Sequence, residues 1–390
     1  MLIALEPMNI TAQRTDNTLS VAVIGKLDTT TSAAFDSEIQ LDGVNRLVLD
    51  FNECHYISSL GLRSILVAHK QMSAAKGTMT LINVSPEVYG IFDVTGLSKI
   101  ISIKRKMREI SIEGLKFMSA GVCGECYRLD QDTVVKLYLE GVDASIAEQE
   151  KQFAQAAFLM GIPTAISYDV VSCGKRTGIV FEMLDAELFS TVIKSDLGNI
   201  DQHAKMLSDV AKTLHSAKGD PAILPNLKAQ FRGYIKQMDG LLTAEDIALL
   251  MRNLELMPDS ETCVHFDLHS SNIMIQNGDP IIIDMGDFSI GCYLFDVGLI
   301  YTLYGAEELG LSIMATKIPN DKGLEIWKSF EKHYFADKSD EERAYFHDNR
   351  YFFASLRIIF VITFLPKLRE DCLKMMKDIL LPRIRSAQAV

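Results

Sequence analysis

Residues 265 to 284 constrain this chain more than any other stretch. His265-Phe-Asp267-Leu-His-Ser-Ser-Asn272 runs into Ile273-Met-Ile275, a polar turn at Asn277-Gly278-Asp279, and then Ile281-Ile-Ile283-Asp284. Two short apolar runs around an Asn-Gly pair predict a β-hairpin, because that dipeptide accepts the left-handed backbone of a tight turn. Such a hairpin brings Asn272 and Asp284 to neighbouring strand ends, with Asp267 one short loop away. One carboxylate to accept the proton of an attacking hydroxyl, and an amide plus a second carboxylate to hold Mg²⁺ against the phosphates of ATP, are the parts that phosphoryl transfer requires. Magnesium takes hard oxygen ligands and keeps several waters, so this pair is sufficient protein ligation.

The upstream residues supply further parts in a consistent order. Gly121-Val-Cys-Gly124 precedes the β-prone run Thr133-Val-Val-Lys136-Leu-Tyr138. Glycines let backbone close over phosphates, and one lysine in the strand offers a point charge for them. A helical stretch from about Ser145 to Met160 carries Glu148 and Glu150, either of which can pair with Lys136. Gly178-Ile-Val-Phe-Glu182-Met183-Leu184 reads as a buried strand entering a hinge, where main-chain groups of Glu182 and Met183 are candidates to bind adenine. Leu207, Val210, Ala211 and Leu214 recur at helical spacing ahead of His215.

At His265, Asp267, Asn272 and Asp284 the chain resembles the aminoglycoside phosphotransferase and choline kinase-like family, whose loop runs His-x-Asp-x-x-x-x-Asn and whose metal-binding Asp follows a short strand. The resemblance implies a bilobal protein kinase-like fold, with an N-lobe over residues 109–183 and a C-lobe with a helical C-terminal region over 184–390. It implies Asp267 as catalytic residue, Asn272 and Asp284 as metal ligands, and Gly121, Gly124, Lys136, Glu182 and Met183 as nucleotide-binding residues. Counting back from Gly161-Ile-Pro163, the turn that ends the helix in that family, favours Glu150 over Glu148 as the partner of Lys136. Asp296 matches an acidic position that braces the catalytic loop, and His265 joins it in structural support. Asp287 and His269 receive no assigned chemistry and read as polar loop residues.

Residues 1–108 carry a different pattern. Strands at 19–24, 46–51, 78–84 and 100–103 alternate with helices at 29–41, 60–75 and 86–92, which predicts a sheet covered by helices. Gly25-Lys-Leu-Asp28, Leu47-Val-Leu-Asp-Phe51, Tyr56-Ile-Ser58-Ser59-Leu-Gly61-Leu62-Arg63 and Phe92-Asp-Val-Thr-Gly96-Leu97 resemble the STAS domain, the fold of bacterial anti-sigma factor antagonists. In that family a serine or threonine before the Gly-Leu helix is phosphorylated, which switches binding to an anti-sigma factor. Alignment on Gly61-Leu62 places Ser59 there as the phosphoacceptor candidate, with Ser58 where many members carry Asp. A phosphate at a helix N-terminus meets free N–H groups and the positive end of the dipole. The alternative is that Ser58 or Ser59 simply caps the helix. Asp28 is expected close to that helix start.

The fold class expected is therefore α/β plus α+β: a STAS-type sheet with helices, then a kinase-like domain. A net charge of −12, with Lys104-Arg-Lys106 the main basic run, argues against a nucleic-acid partner. Seven scattered cysteines and no signal peptide point to the cytoplasm. Cys123 and Cys126 form one Cys-x-x-Cys without a second pair, which does not make a zinc site. Ile358–Leu365 is far shorter than the roughly 20 residues of a membrane helix and reads as buried, so no membrane is expected. The aromatic residues Tyr345, Phe346, Tyr351, Phe352 and Phe353 read as core packing, or as walls of an acceptor pocket. The expected activity is ATP- and Mg²⁺-dependent phosphoryl transfer to a hydroxyl, either of a small molecule or of a protein serine such as Ser59. An alternative is a non-catalytic nucleotide sensor whose STAS part binds an anti-sigma factor or similar regulator.

Overall fold

Leu19, Val21 and Val23, then Leu47, Leu49 and Phe51, alternate along their strands with more exposed residues, and it is these six that are buried. In the computed structural model, which describes residues 9–387, they anchor the first of two compact units, divided between Glu109 and Ile110. The outer ends of the first and last expected domains, residues 1–8 and 388–390, lie outside the described residues. The first unit runs β1 (Asn9–Thr15), β2 (Thr18–Leu27), α1 (Ser32–Glu38), β3 (Arg46–Ile57), α2 (Ser59–Ala74), β4 (Thr78–Val84), α3 (Pro86–Val94) and β5 (Ser102–Arg105). The strands lie in sequence order, β1 antiparallel to β2 and the rest parallel. Strand β1 adds to the expected set: Asn-Ile-Thr-Ala-Gln-Arg-Thr has little apolar alternation, and it forms by pairing along one edge of β2. Phe35, Ile65, Val88 and Phe92 close the core from the helices.

Strands β2 and β3 end together, Leu27 opposite Ile57, so that the Ser58 N–H donates to the Leu27 carbonyl at 2.9 Å. Helix α2 starts at once, with Ser58 as its cap: the Ser58 hydroxyl accepts from Gly61 N at 3.3 Å. Ser59 is left exposed at the first helical position. Gly61 is required here, since a Cβ would stand 2.4 Å from the Leu27 carbonyl oxygen. Asp28, next to this junction, accepts from the Thr30 hydroxyl at 2.7 Å and the Thr30 N–H at 2.9 Å, bonds that hold its carboxyl below the usual range.

The second unit opens with β6 (Lys116–Ala120), β7 (Gly124–Arg128), β8 (Thr133–Tyr138), α4 (Ala144–Leu159), β9 (Ser167–Cys173) and β10 (Arg176–Glu182). These strands form an antiparallel sheet in the order β9-β10-β8-β7-β6, and α4 packs on β9 and β10. Lys136 sits mid-sheet, opposite Cys126 on one side and Ile179 on the other.

The rest of this unit is mostly helical. The central helix α5 (Ile200–Ser216) buries Leu207, Val210, Ala211 and Leu214, as its spacing predicts. After α6 (Leu227–Lys236) come the short strands β11 (Cys263–Val264), β12 (Ile273–Gln276), β13 (Asp279–Ile282) and β14 (Ser289–Ile290), then α7 (Leu294–Ile300), α8 (Asn320–Tyr334) and α9 (Asp340–Phe364). Helix α9 is started by a capping box between Ser339 and Glu342. Phe346, Phe352 and Phe353 are fully buried in it, which makes the aromatic face core packing. Among the described residues no single helix is long and apolar enough to cross a membrane.

Candidate functional site

The hairpin forms as its Asn-Gly turn dictates. Ile273 pairs with Ile282, and Asn277 (φ 55°) and Gly278 (φ 94°) take the left-handed turn. The Ile283 N–H donates to the Asn272 carbonyl at 3.0 Å, so Asn272 and Asp284 stand at adjacent strand ends. Strand β11 pairs with β14, which draws the residues ahead of Asp267 beside those beyond Asp284.

Asp296, fully buried at the start of α7, organises the loop. Its carboxylate accepts the backbone N–H of His265 at 2.8 Å and of Phe266 at 2.6 Å, and His215 Nε2 at 3.0 Å. Phe266 lies in the left-handed region (φ 61°), an uncommon conformation for a bulky residue, and these bonds hold it there. His265 Nε2 donates to the Ile283 carbonyl at 3.0 Å, and its Nδ1 accepts the Asp267 N–H at 3.2 Å. The imidazole thus ties the Asp267 loop to the strand that delivers Asp284.

Asn272 Nδ2 donates to the Asp267 carbonyl at 2.9 Å and to Asp267 Oδ2 at 3.1 Å. With its amide hydrogens turned that way, the side-chain carbonyl of Asn272 is presented on the other side, where a cation can use it. Asp284, also left-handed (φ 64°), keeps about half its side chain (47%) exposed. The donor set, an amide carbonyl and a half-exposed carboxylate, fits a hard cation such as Mg²⁺.

Lys136 Nζ donates to both oxygens of Glu150, at 2.8 and 2.9 Å, and to Asp284 Oδ1 at 2.6 Å. Glu148 faces solvent, whereas Glu150 is buried and also accepts from the Tyr138 hydroxyl. Burial opposes the charge on Lys136, yet the carboxylates of Glu150 and Asp284 outweigh it and raise its pKa above the usual amine range.

Arg357 joins the site from a part of the chain that the motif does not reach. From α9 its Nη2 donates to Asp267 Oδ1 at 2.5 Å, and Nη1 lies 3.7 Å from Asp287 Oδ2. Burial would raise the Asp267 pKa, but the guanidinium overrides it and holds the carboxyl well below the usual range. Asp287 goes the other way: burial, against Arg357 and with the charges of Asp267, Asp284 and Glu150, pushes it up to about 7. A third of the Asp287 side chain (34%) remains open to water, which screens part of that rise. His269 Nε2 lies 3.6 Å from Asp267 Oδ1, so both loop residues, Asp287 and His269, border the Asp267 carboxylate or its arginine partner. One sign of Arg357 is present in the sequence: it is the lone charge in the apolar run Phe352–Leu365, and a half-buried arginine needs an acceptor.

The Glu182 N–H donates to the Ile166 carbonyl at 2.9 Å and the Met183 N–H to the Asp132 carbonyl at 2.8 Å, so both hinge donors are engaged within the sheet half. The Glu182 carboxylate accepts from Ile166 N. Gly124 is demanded by packing, its Cβ position lying 2.3 Å from the Leu137 carbonyl, while Gly121 donates its N–H to the Gly124 carbonyl at 2.9 Å in the loop turn.

A family model described as "Phosphotransferase enzyme family" matches residues 120–317, and one described as "STAS domain" matches residues 9–110. An anti-sigma F factor antagonist of Paenibacillus polymyxa is 33% identical over 89 residues, 22% of this chain and 76% of that protein. BtrV of Bordetella bronchiseptica, named provisionally as an anti-sigma factor antagonist, is 30% identical over 99 residues, 25% of this chain and 85% of that one. Among solved structures, an ethanolamine kinase of Plasmodium vivax is 15% identical with a TM-score of 0.49, covering 71% of this chain and 84% of that one. The ADP-bound aminoglycoside phosphotransferase APH(2'')-Ib is 17% identical with a TM-score of 0.46, covering 75% and 98%. The phosphotransferase match spans more than half of the chain and contains every residue of the bonded network from Lys136 to Asp296. With a STAS domain ahead of that match in the sequence, the chain belongs to the phosphotransferase enzyme family.

Proposed function

We propose that this protein transfers a phosphoryl group from ATP, with Mg²⁺, to a hydroxyl acceptor, and that the STAS domain couples this activity to a signalling partner of the anti-sigma factor type. The observation that carries the reading is the convergence of Lys136, Glu150 and Asp284 with Asp267 and Asn272 in one connected network. Lys136, held by Glu150, positions phosphates. Asp267 orients the acceptor hydroxyl and takes its proton as the new P–O bond forms, while the ADP oxygen leaves with the electrons of the old one. Asn272 and Asp284 would hold magnesium, whose chemistry there is neutralisation of charge on the phosphates. Free cysteines at all seven positions agree with a reducing, cytoplasmic location.

The acceptor is either a small hydroxyl compound or a protein serine. Ser59 is exposed at a helix start, which favours it among serines of this chain. Incubation with γ-labelled ATP and Mg²⁺ tests the reading. Label on the wild-type chain that is lost in both Ser59→Ala and Asp267→Ala supports self-phosphorylation. Acceptor-dependent ADP release from an unlabelled chain supports a small-molecule kinase. Nucleotide binding without turnover under any acceptor would overturn the catalytic reading in favour of a nucleotide sensor.

A further inference from the structure

The carboxylate of Asp267 is gripped from two sides. Asn272 Nδ2 bonds Oδ2 from within the loop, and Arg357 Nη2 bonds Oδ1 from α9, a separate element 90 residues further along the chain. Arg357 is itself fixed. Nη1 donates to the Phe266 carbonyl at 3.2 Å, and the guanidinium lies 5.5 Å from the Phe266 ring centroid and 5.0 Å from that of Phe360. Only 17% of its side chain is exposed. A planar fork packed against two neighbouring rings, with carbonyl and carboxylate acceptors ahead of it, is restricted in orientation, and it passes that restriction to Asp267.

We propose that Arg357 is a positioning residue for phosphoryl transfer, holding Asp267 Oδ1 so that the carboxylate faces the acceptor hydroxyl, and making the chemical step depend on the seating of α9. This rests on the reading of Asp267 given above. A displaced reacting group costs rate without costing substrate affinity, so the effect falls on kcat. Lysine offers a point charge in place of the fork and restores only part of the orientation.

The test uses the full chain, with water as acceptor in Mg²⁺ and ATP, and compares wild type, Arg357→Met, Arg357→Lys, Asp267→Asn and the double variant Arg357→Met/Asp267→Asn. Arg357→Met is expected to lower kcat about 30- to 100-fold, with KM for ATP within about twofold, and Arg357→Lys to recover part of the loss. The double variant is expected to be no slower than Asp267→Asn alone, because the two residues act through one carboxylate. The thermal midpoint of each variant shows whether lost rate reflects lost fold. Unchanged kcat in Arg357→Met beside an inactive Asp267→Asn would overturn this inference and leave the proposed function standing. So would losses that multiply in the double variant. Full turnover in Asp267→Asn, or none in the wild type with water and with every hydroxyl acceptor supplied in its place, would overturn the reading of the site and the inference with it.

Discussion

Lys136 Nζ stands 2.6 Å from Asp284 Oδ1, closer than it comes to either oxygen of Glu150. One ammonium therefore joins the sheet half of the phosphotransferase unit to the loop that carries the metal-ligand candidates. Replacing Lys136 with Ala leaves Glu150, 2% exposed, facing only the Tyr138 hydroxyl. A buried carboxylate stripped of its cation costs about 3 kcal/mol. Lys136→Ala should lower the urea-unfolding midpoint of this unit accordingly and abolish turnover, whereas Lys136→Met/Glu150→Met should recover stability but not activity. A double variant as unstable as the single one would refute the burial of an unpaired charge as the cause.

Asp296 is expected to be among the most sensitive positions for folding of the loop. Removing its carboxylate leaves two backbone N–H groups and His215 without their acceptor and lets Phe266 leave its left-handed conformation. Asp296→Ala should cost about 3 to 5 kcal/mol, the range for breaking a buried charged network. Equilibrium unfolding would show it, and hydrogen exchange at residues 265–272 should rise in step.

The pH dependence of stability should carry a mark from Asp287. Its folded pKa, about 7, lies above the ordinary 3.8, so the fold favours the protonated acid. That contribution is complete below about pH 4 and is lost as pH rises through 7. Between pH 5.5 and 8.5 the thermal midpoint of wild type should therefore fall more than that of Asp287→Asn. Parallel curves would place Asp287 in ordinary solvent.

In the STAS domain the two adjacent serines should separate cleanly. Ser58→Ala removes the helix cap and should destabilise residues 9–109 by about 1 kcal/mol. Ser59→Ala, at an exposed position, should stay within about 0.5 kcal/mol. Reversed effects in chemical denaturation would assign the cap to the wrong residue.

Local signals in the sequence translated directly into structure. The Asn277-Gly278 turn and its flanking isoleucines are complete within the hairpin itself, and the burial of Glu150 rather than Glu148 reflects which face α4 turns to the sheet. The features that the sequence hides depend on distant approach. Strand β1 has little pattern of its own and forms only because β2 offers an edge. The hinge strand is evident in the sequence, but the occupation of the Glu182 and Met183 N–H groups depends on Ile166 and Asp132, brought there by separate turns. Arg357 reaches its partner across 90 residues, a separation no spacing rule spans.

The register Ile273 to Ile282 bears on how the site comes together. Asn272 and Asp284 are delivered by a closure of only a few residues, fast and cheap in chain entropy, while Lys136 must find Asp284 across 148 intervening steps. The two metal-ligand candidates are thus neighbours through the hairpin alone, whatever the sheet half does. The bond from Lys136 to Asp284, by contrast, needs both halves of the unit in place.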